Sequence, residues 1–442
     1  MDFYELLLAE KLNGGGGGSA VLINKDITEN GTYNAENDNA DGYKKVVVNV
    51  PPYEQDLSNL KPVVFVDYDG SVVYNYTEEE FLAMDSFPAN PSHSGLTAQG
   101  WNWDLAEAKS LVQKYRCLCV GQNYVTSDGL TKLYLTFDEW TVQFDLQIRL
   151  TVTSGTVTLD WGDGSQTETS SGTGEKGFSH LYSTAGSYVL TIKSNDAVYG
   201  LGSTGGSNGV CYYNNAQQSK VSADALRKLE IGNGVNTLNR SCFSNCEELQ
   251  SISIPTTVTN YGSGTSGQTF QTAFSLKCIV FPKNSTLLGG SMFNTHHQFV
   301  VFPSTNVSNI QISGTDSGCV LKIFTAVCNS PVAVINGARD LKYFAVGGTY
   351  TTVPNSFCRN AHLVERIVVP SSVTEVSDYA FADVWGDLYM LPTSVPTLVN
   401  ARAVNNCRKV YVPYSADHSV LNAYKTATTW SSLASKIEEM PQ

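Results

Sequence analysis

The sequence predicts a mainly β, multidomain protein in which small β and α/β modules lead into a repeat solenoid closed by a helical cap. Three observations carry that prediction. Short apolar strands ending in proline recur through the second half: "SISIP" at Pro255, "CIVFP" at Pro282, "FVVFP" at Pro303, "RIVVP" at Pro370, "LYMLP" at Pro392 and "VYVP" at Pro413. The proline gaps are 27 and 21 residues, then an interruption, then 22 and 21, which is the period of a solenoid. The first half alternates apolar and polar residues in runs bounded by "NG", "DG" and "GDG" turns. Only 16% of the 442 residues are charged, while Gly, Ser, Thr, Asn and Tyr abound, a mixture suited to turn-rich β structure. A chain of this length exceeds one ordinary core.

Residues 1–19 open with a short helix. Phe3, Leu6, Leu7 and Leu8 share one face, with Glu5, Glu10 and Lys11 turned away. Gly14 to Gly18 follow as a flexible tether. The apolar run is too short to span a bilayer and lacks the layout of a secretory signal. Such a helix either folds back on its own chain or serves as a docking peg to a larger assembly. Residues 20–60 form a small β module, with "YKKVVVNV" alternating before Pro51 and Pro52.

Residues 61–140 read as an α/β module. Val63–Val66 and Val72–Tyr74 make a hairpin about "DYDG", and Thr77 with Glu80 forms a capping box before Phe81 and Leu82. A helix over Asp104–Tyr115 buries Leu105, Ala108, Leu111, Val112 and Tyr115, and two strands return around "SDG". His93, Trp101 and Trp103 invite a ligand reading, but packing beneath a long loop is the stronger one. Residues 141–197 form a further β-rich module and 198–225 a linker. The repeat array occupies 226–413, with its register uncertain over 304–350. Residues 414–442 form the cap, where Leu421, Tyr424, Trp430, Leu433 and Ile437 close the core.

Lys and Arg number 28 against 41 Asp and Glu, a formal charge of −13, which disfavours nucleic acid and anionic membranes as partners. No stretch predicts membrane insertion. The ten cysteines form no framework: Cys117 and Cys119 sit too close on one strand, and the Cys242–Cys246 spacing has no matching second pair. They read as reduced core residues, and no metal site is expected. No "GxSxG", "HExxH" or phosphate-binding glycine loop occurs, so neither a catalytic site nor a cofactor is expected.

Four stretches resemble known families. "DITENGTYNAENDNADGYKKVVVNVP" is similar to a module in tail and other virion proteins of phages that infect Gram-positive gut bacteria, and "NPSHSGLTAQGWNW" resembles a segment upstream of leucine-rich repeats in the same proteins. "WGDGS" with Trp161, Asp163, Gly164, His180, Tyr182, Gly186 and Tyr188 resembles the PKD domain. That likeness implies an immunoglobulin-like sandwich, with one strand missing or borrowed from residues 130–140. "IVVPSSVTEVSDYAFADVWGDLYML" resembles the BspA-like leucine-rich repeat.

Together these likenesses imply a structural and adhesive virion component, in the tail or another surface appendage. It would be assembled in the host cytoplasm and then extracellular. Its N-terminal segment would contact other virion proteins, and its repeats a host surface protein or glycan. Homo-oligomerisation stays open. A bacterial cell-surface adhesin is the alternative, and a glycan-degrading tail spike a third. Tyr379, Trp385 and Tyr389, around the best-formed repeat, are the candidate receptor contacts, although Trp385 suits the core equally.

Overall fold

A computed structural model describes residues 31–33, 46–48, 57–139, 141–205, 209–212, 223–243, 245–262, 269–270, 272–290, 293, 296–302, 307–313, 319–328 and 333–441. The expected N-terminal helix and glycine tether lie outside these residues. The chain divides into two compact units, 1–58 and 59–442. In the first, strands Gly31–Tyr33 and Val46–Val48 pair antiparallel, with Gly31 opposite Val48.

The second unit begins with a four-stranded sheet in the order Val72–Tyr76, Val63–Val66, Leu118–Thr126, Leu96–Trp101. Thr77 caps helix Glu78–Leu82 with the reciprocal Glu80 bond that its spacing predicts. Helix Leu105–Tyr115 buries Ala108, Leu111, Val112 and Tyr115, and ends where Arg116 turns left-handed at φ 69°. Leu105 is only half-buried. The two strands expected around "SDG" both form, but they part company. Leu118–Thr126 stays in the module sheet, whereas Thr131–Phe137 enters another sheet, between Gly186–Leu201 and Leu226–Glu230.

That second pairing determines how the array starts. Strands Leu146–Asp160 and Gly186–Leu201 run antiparallel, and Gly174–His180 flanks the first of them. Tyr199–Leu201 then pairs parallel with Val235–Leu238, while Leu226–Glu230 pairs parallel with Ser251–Ser253. Residues 131–201 therefore hydrogen-bond straight into the first repeat. One apolar core runs without a break from Leu133 to Ile437. An outermost repeat cannot bury its open end alone, and here the preceding β strands cover it.

The proline-ended strands appear where the spacing puts them, at Ser251–Ser253, Cys278–Val280, Phe299–Val301, Arg366–Val369, Asp387–Met390 and Val410–Val412. The interruption holds two more turns of the same solenoid, Ile323–Cys328 and Tyr343–Gly348, joined in parallel to Phe299–Val301. Leu321 and Leu341 sit three residues before Phe324 and Phe344, as Leu276 does before Ile279, and all six are buried. At the far end Tyr424, Trp430, Leu433 and Ile437 are buried and Leu421 packs against them. Trp430 Nε1 donates to Pro396 O at 2.8 Å, and Ile437–Glu439 adds a last parallel strand.

Within this core, His297 lies buried with Nδ1 2.6 Å from Leu276 O. Burial pushes its pKa down to about 4, against the pull of the Leu276 hydrogen bond. The unfolded chain binds a proton there near pH 6.5 and the folded chain does not until about pH 4. Stability should therefore fall as pH drops through that window, by about 2–3 kcal/mol at pH 4.5. Urea midpoints at pH 7 and 4.5 should differ by less in His297→Gln than in the parent chain. Equal differences in both would show that another group carries the acid sensitivity.

Candidate functional site

Each repeat strand points alternate residues into the core and out onto a ladder. Ile279, Val300, Phe324 and Val346 face inward. Their outward neighbours Val280, Phe299, Ile323 and Ala345 are nevertheless fully buried, because the α/β module lies on this ladder. Gly121 has no room for a side chain, since a Cβ there would overlap Val280. Asn102 Nδ2 donates to Phe281 O (2.9 Å) and Phe302 O (3.1 Å), while its Oδ1 accepts from Gly121 N. Asn123 reaches Ile254 O at 3.0 Å, and Tyr343 Oη donates to Leu60 O at 2.8 Å. The chain's own α/β module thus covers this ladder as far as Val368.

Past Val368 the ladder is free. Tyr389 stacks on Tyr411 in the next strand, with centroids 4.7 Å apart, and the Arg366 guanidinium lies 4.5 Å over the other face of Tyr389. Arg408 grips Asp387 through two hydrogen bonds of 2.9 and 2.7 Å, and Lys409 pairs with Glu438. Burial, with Asp387 and Tyr389 beside it, raises the Tyr411 hydroxyl. This row is half-buried, its Tyr389 hydroxyl accepting from Arg366 Nη2 at 3.3 Å, and closed ion pairs flank it.

Tyr379 occupies a turn instead. It holds φ 54°, a left-handed conformation uncommon for an aromatic residue. Ser241, Ser356 and Tyr379 are left-handed in three examples of this turn, with Asn245, Asn360 and Asp383 left-handed four residues later. Arg359 and Arg402 lie over the Tyr379 ring at 4.8 and 4.1 Å. Arg402 also pairs with Asp378, and that hydrogen bonding holds the Asp378 carboxyl below its ordinary range.

Trp385 proves to be the exposed member of the trio. Three residues before Leu388, it stands where Leu276 and Val364 fill the core of their repeats, but Val384 takes the inner place. Gly386 permits this, since a Cβ there would overlap the Val364 carbonyl of the preceding turn. Trp385 is left 59% exposed, stacked on His362 at 4.4 Å and 10°, with Leu363 exposed alongside. The three expected contacts therefore occupy three separate clusters. His362, Arg366 and Tyr411 join them, although nothing in their local sequence marks them before the strands are aligned.

Most of the other singled-out residues have structural partners. His93 Nε2 lies 2.7 Å from Asp67 Oδ2, between the Tyr68 and Tyr124 rings, and Trp101 Nε1 donates to Pro88 O. Trp103 is buried. Asp163 accepts from Ser165 N and meets His180 Nε2 at 2.6 Å, which, against the effect of burial, holds its carboxyl at about 2. Tyr182 Oη donates to Trp161 O. All ten cysteines are buried and unbridged, and desolvation raises each of the thiols. Among the described residues, no group of three or more His, Cys, Asp or Glu is placed to hold a metal, and no helix is long and apolar enough to cross a membrane.

Residues 219–330 and 333–410 match the family described as BspA type leucine-rich repeat region, in six copies. The C-terminal half is thus a solenoid of BspA-type repeats. No curated protein matches the chain.

Proposed function

We propose that the chain is a non-enzymatic, structural and adhesive component of a phage virion, in the tail or another surface appendage. The observation that carries the adhesive role is the uncovered end of the array, where Trp385 is exposed and the half-buried Tyr389 and Tyr411 stack on each other beyond the covering module. Repeats of this type are typical of surface adhesion proteins. A repeat array offers an extended surface without catalytic geometry. The virion setting rests on the likeness of residues 26–51 and 90–103 to segments of phage proteins. On this reading residues 141–197 are a PKD-like module that braces the array, the N-terminal segment binds other virion proteins, and the free repeats meet a host surface protein or glycan.

The setting is tested in particles. The protein should be found by mass spectrometry in purified virions, and deletion of residues 1–13 should leave it folded but no longer incorporated. Normal incorporation without residues 1–13 would contradict N-terminal anchoring, and absence from particles would contradict the virion reading. The repeat match suits a bacterial cell-surface adhesin as well. Neighbouring genes separate the two: capsid and tail genes in one case, wall-anchoring genes in the other.

A further inference from the structure

The turn edge of the array, just ahead of the repeat strands, carries two aromatic platforms. Phe274 and His362 hold the same repeat position, two residues before Leu276 and Val364 respectively. Each ring meets a ring from the following repeat: Phe274 meets His296 at 5.2 Å, and His362 meets Trp385 at 4.4 Å. Phe274 is 40% exposed and Trp385 59%, although His362 covers one face of the indole, so the other face is open to solvent. Both platforms are built into the fold. His296 precedes the buried His297, and Trp385 is turned outward by Val384 and Gly386.

The strands behind Phe274 and Trp385, Cys278–Val280 and Asp387–Met390, are five steps apart in the array. At about 4.8 Å per step these two rings stand about 24 Å apart along one edge. Between them the same edge carries Asp340, paired with Lys322 at 2.7 Å. Two small apolar surfaces separated by an ion pair do not suit a protein partner, because a stable interface buries about 800 Å² per side around a core depleted of charge. A sugar chain fits both features. Its rings carry flat C–H faces that stack on aromatic rings, and its hydroxyls hydrogen-bond to charged and amide groups between them.

We infer that this edge binds a linear, uncharged surface polysaccharide, with one sugar ring on Trp385 and another, several units along, on Phe274. The inference rests on the adhesive reading of the array and gives its ligand a chemical class. The chain's −13 formal charge disfavours an anionic polymer.

The test uses the full chain, intact cells of Gram-positive gut bacteria, and polysaccharide purified from the walls of the same strains. Binding to cells should survive protease treatment and be lost after periodate oxidation of the sugars. Trp385→Ala should weaken binding to the purified polysaccharide at least tenfold, Phe274→Ala severalfold, and the double variant should bind barely at all. Both side chains are exposed, so the melting temperature of each variant should stay near that of the parent. Cell binding lost to protease but not to periodate, or unchanged in both variants, would overturn the polysaccharide while leaving adhesion in place. Binding to no strain would overturn the adhesive reading and this inference with it.

Discussion

Residues 226–442, expressed without what precedes them, should be unfolded or insoluble, whereas residues 59–442 should fold. The repeats carry their own cap at the C-terminal end. In the structure they lean on the rest of the chain twice. Removing 59–225 uncovers Val280, Phe299, Val301, Ile323 and Ala345, all of them apolar and fully buried. At about 1.5–3 kcal/mol for each large side chain, that exposure approaches the entire 5–15 kcal/mol by which a typical protein is stable. The cut also strips Leu226–Glu230 of its partner Thr131–Phe137 and opens the N-terminal end of the core. Circular dichroism and a thermal melt of both fragments decide the matter. A soluble 226–442 with a sharp transition near that of 59–442 would show that the module rests on the array without supporting it.

Trp430→Ala should be the most damaging single substitution at the other end. The indole is fully buried against Tyr424, with rings 5.3 Å apart, and donates to Pro396 O. Its removal leaves a large cavity and an unpaired carbonyl, a loss of about 3–5 kcal/mol. The cap is the last element the core runs into, so the loss should show as early melting of residues 387–439. Hydrogen exchange would then be fast in that stretch while 251–346 stay protected. Trp430→Phe keeps most of the volume and should recover over half of the stability. A uniform loss of protection along the whole chain would mean that the array unfolds as one unit instead.

The proline-ended strands were legible because each repeats one local pattern, and the cap because its aromatic residues follow the last of them. The two turns within 304–350 were hidden because "LKIFTAVC" and "LKYFAVGG" lose the proline while keeping the leucine-to-phenylalanine spacing that carries the fold. The covering module leaves its mark on the strands it covers. "CIVF" and "FVVF" are apolar at every position, as strands buried on both faces must be, whereas "DLYM" and "KVYV" alternate, as strands with one free face do. Pairing of 131–137 with 226–230 joins segments far apart in sequence, and no local pattern specifies it. Trp385 could not be assigned from sequence because "VWG" offers two residues for one core position. Packing against the Val364 turn selects Val384.

On the adhesive reading, recognition belongs to the uncovered end of the array and to the turn edge that runs from it to Phe274. Amide hydrogen exchange of the full chain, alone and bound to the surface extract of cells to which it adheres, tests it most directly. Added protection is expected within 358–411, around Trp385 and Tyr389, and on the turn edge near Phe274, with none in 146–201. Protection confined to 146–201, with the repeats unchanged, would make the array a spacer and contradict the assignment.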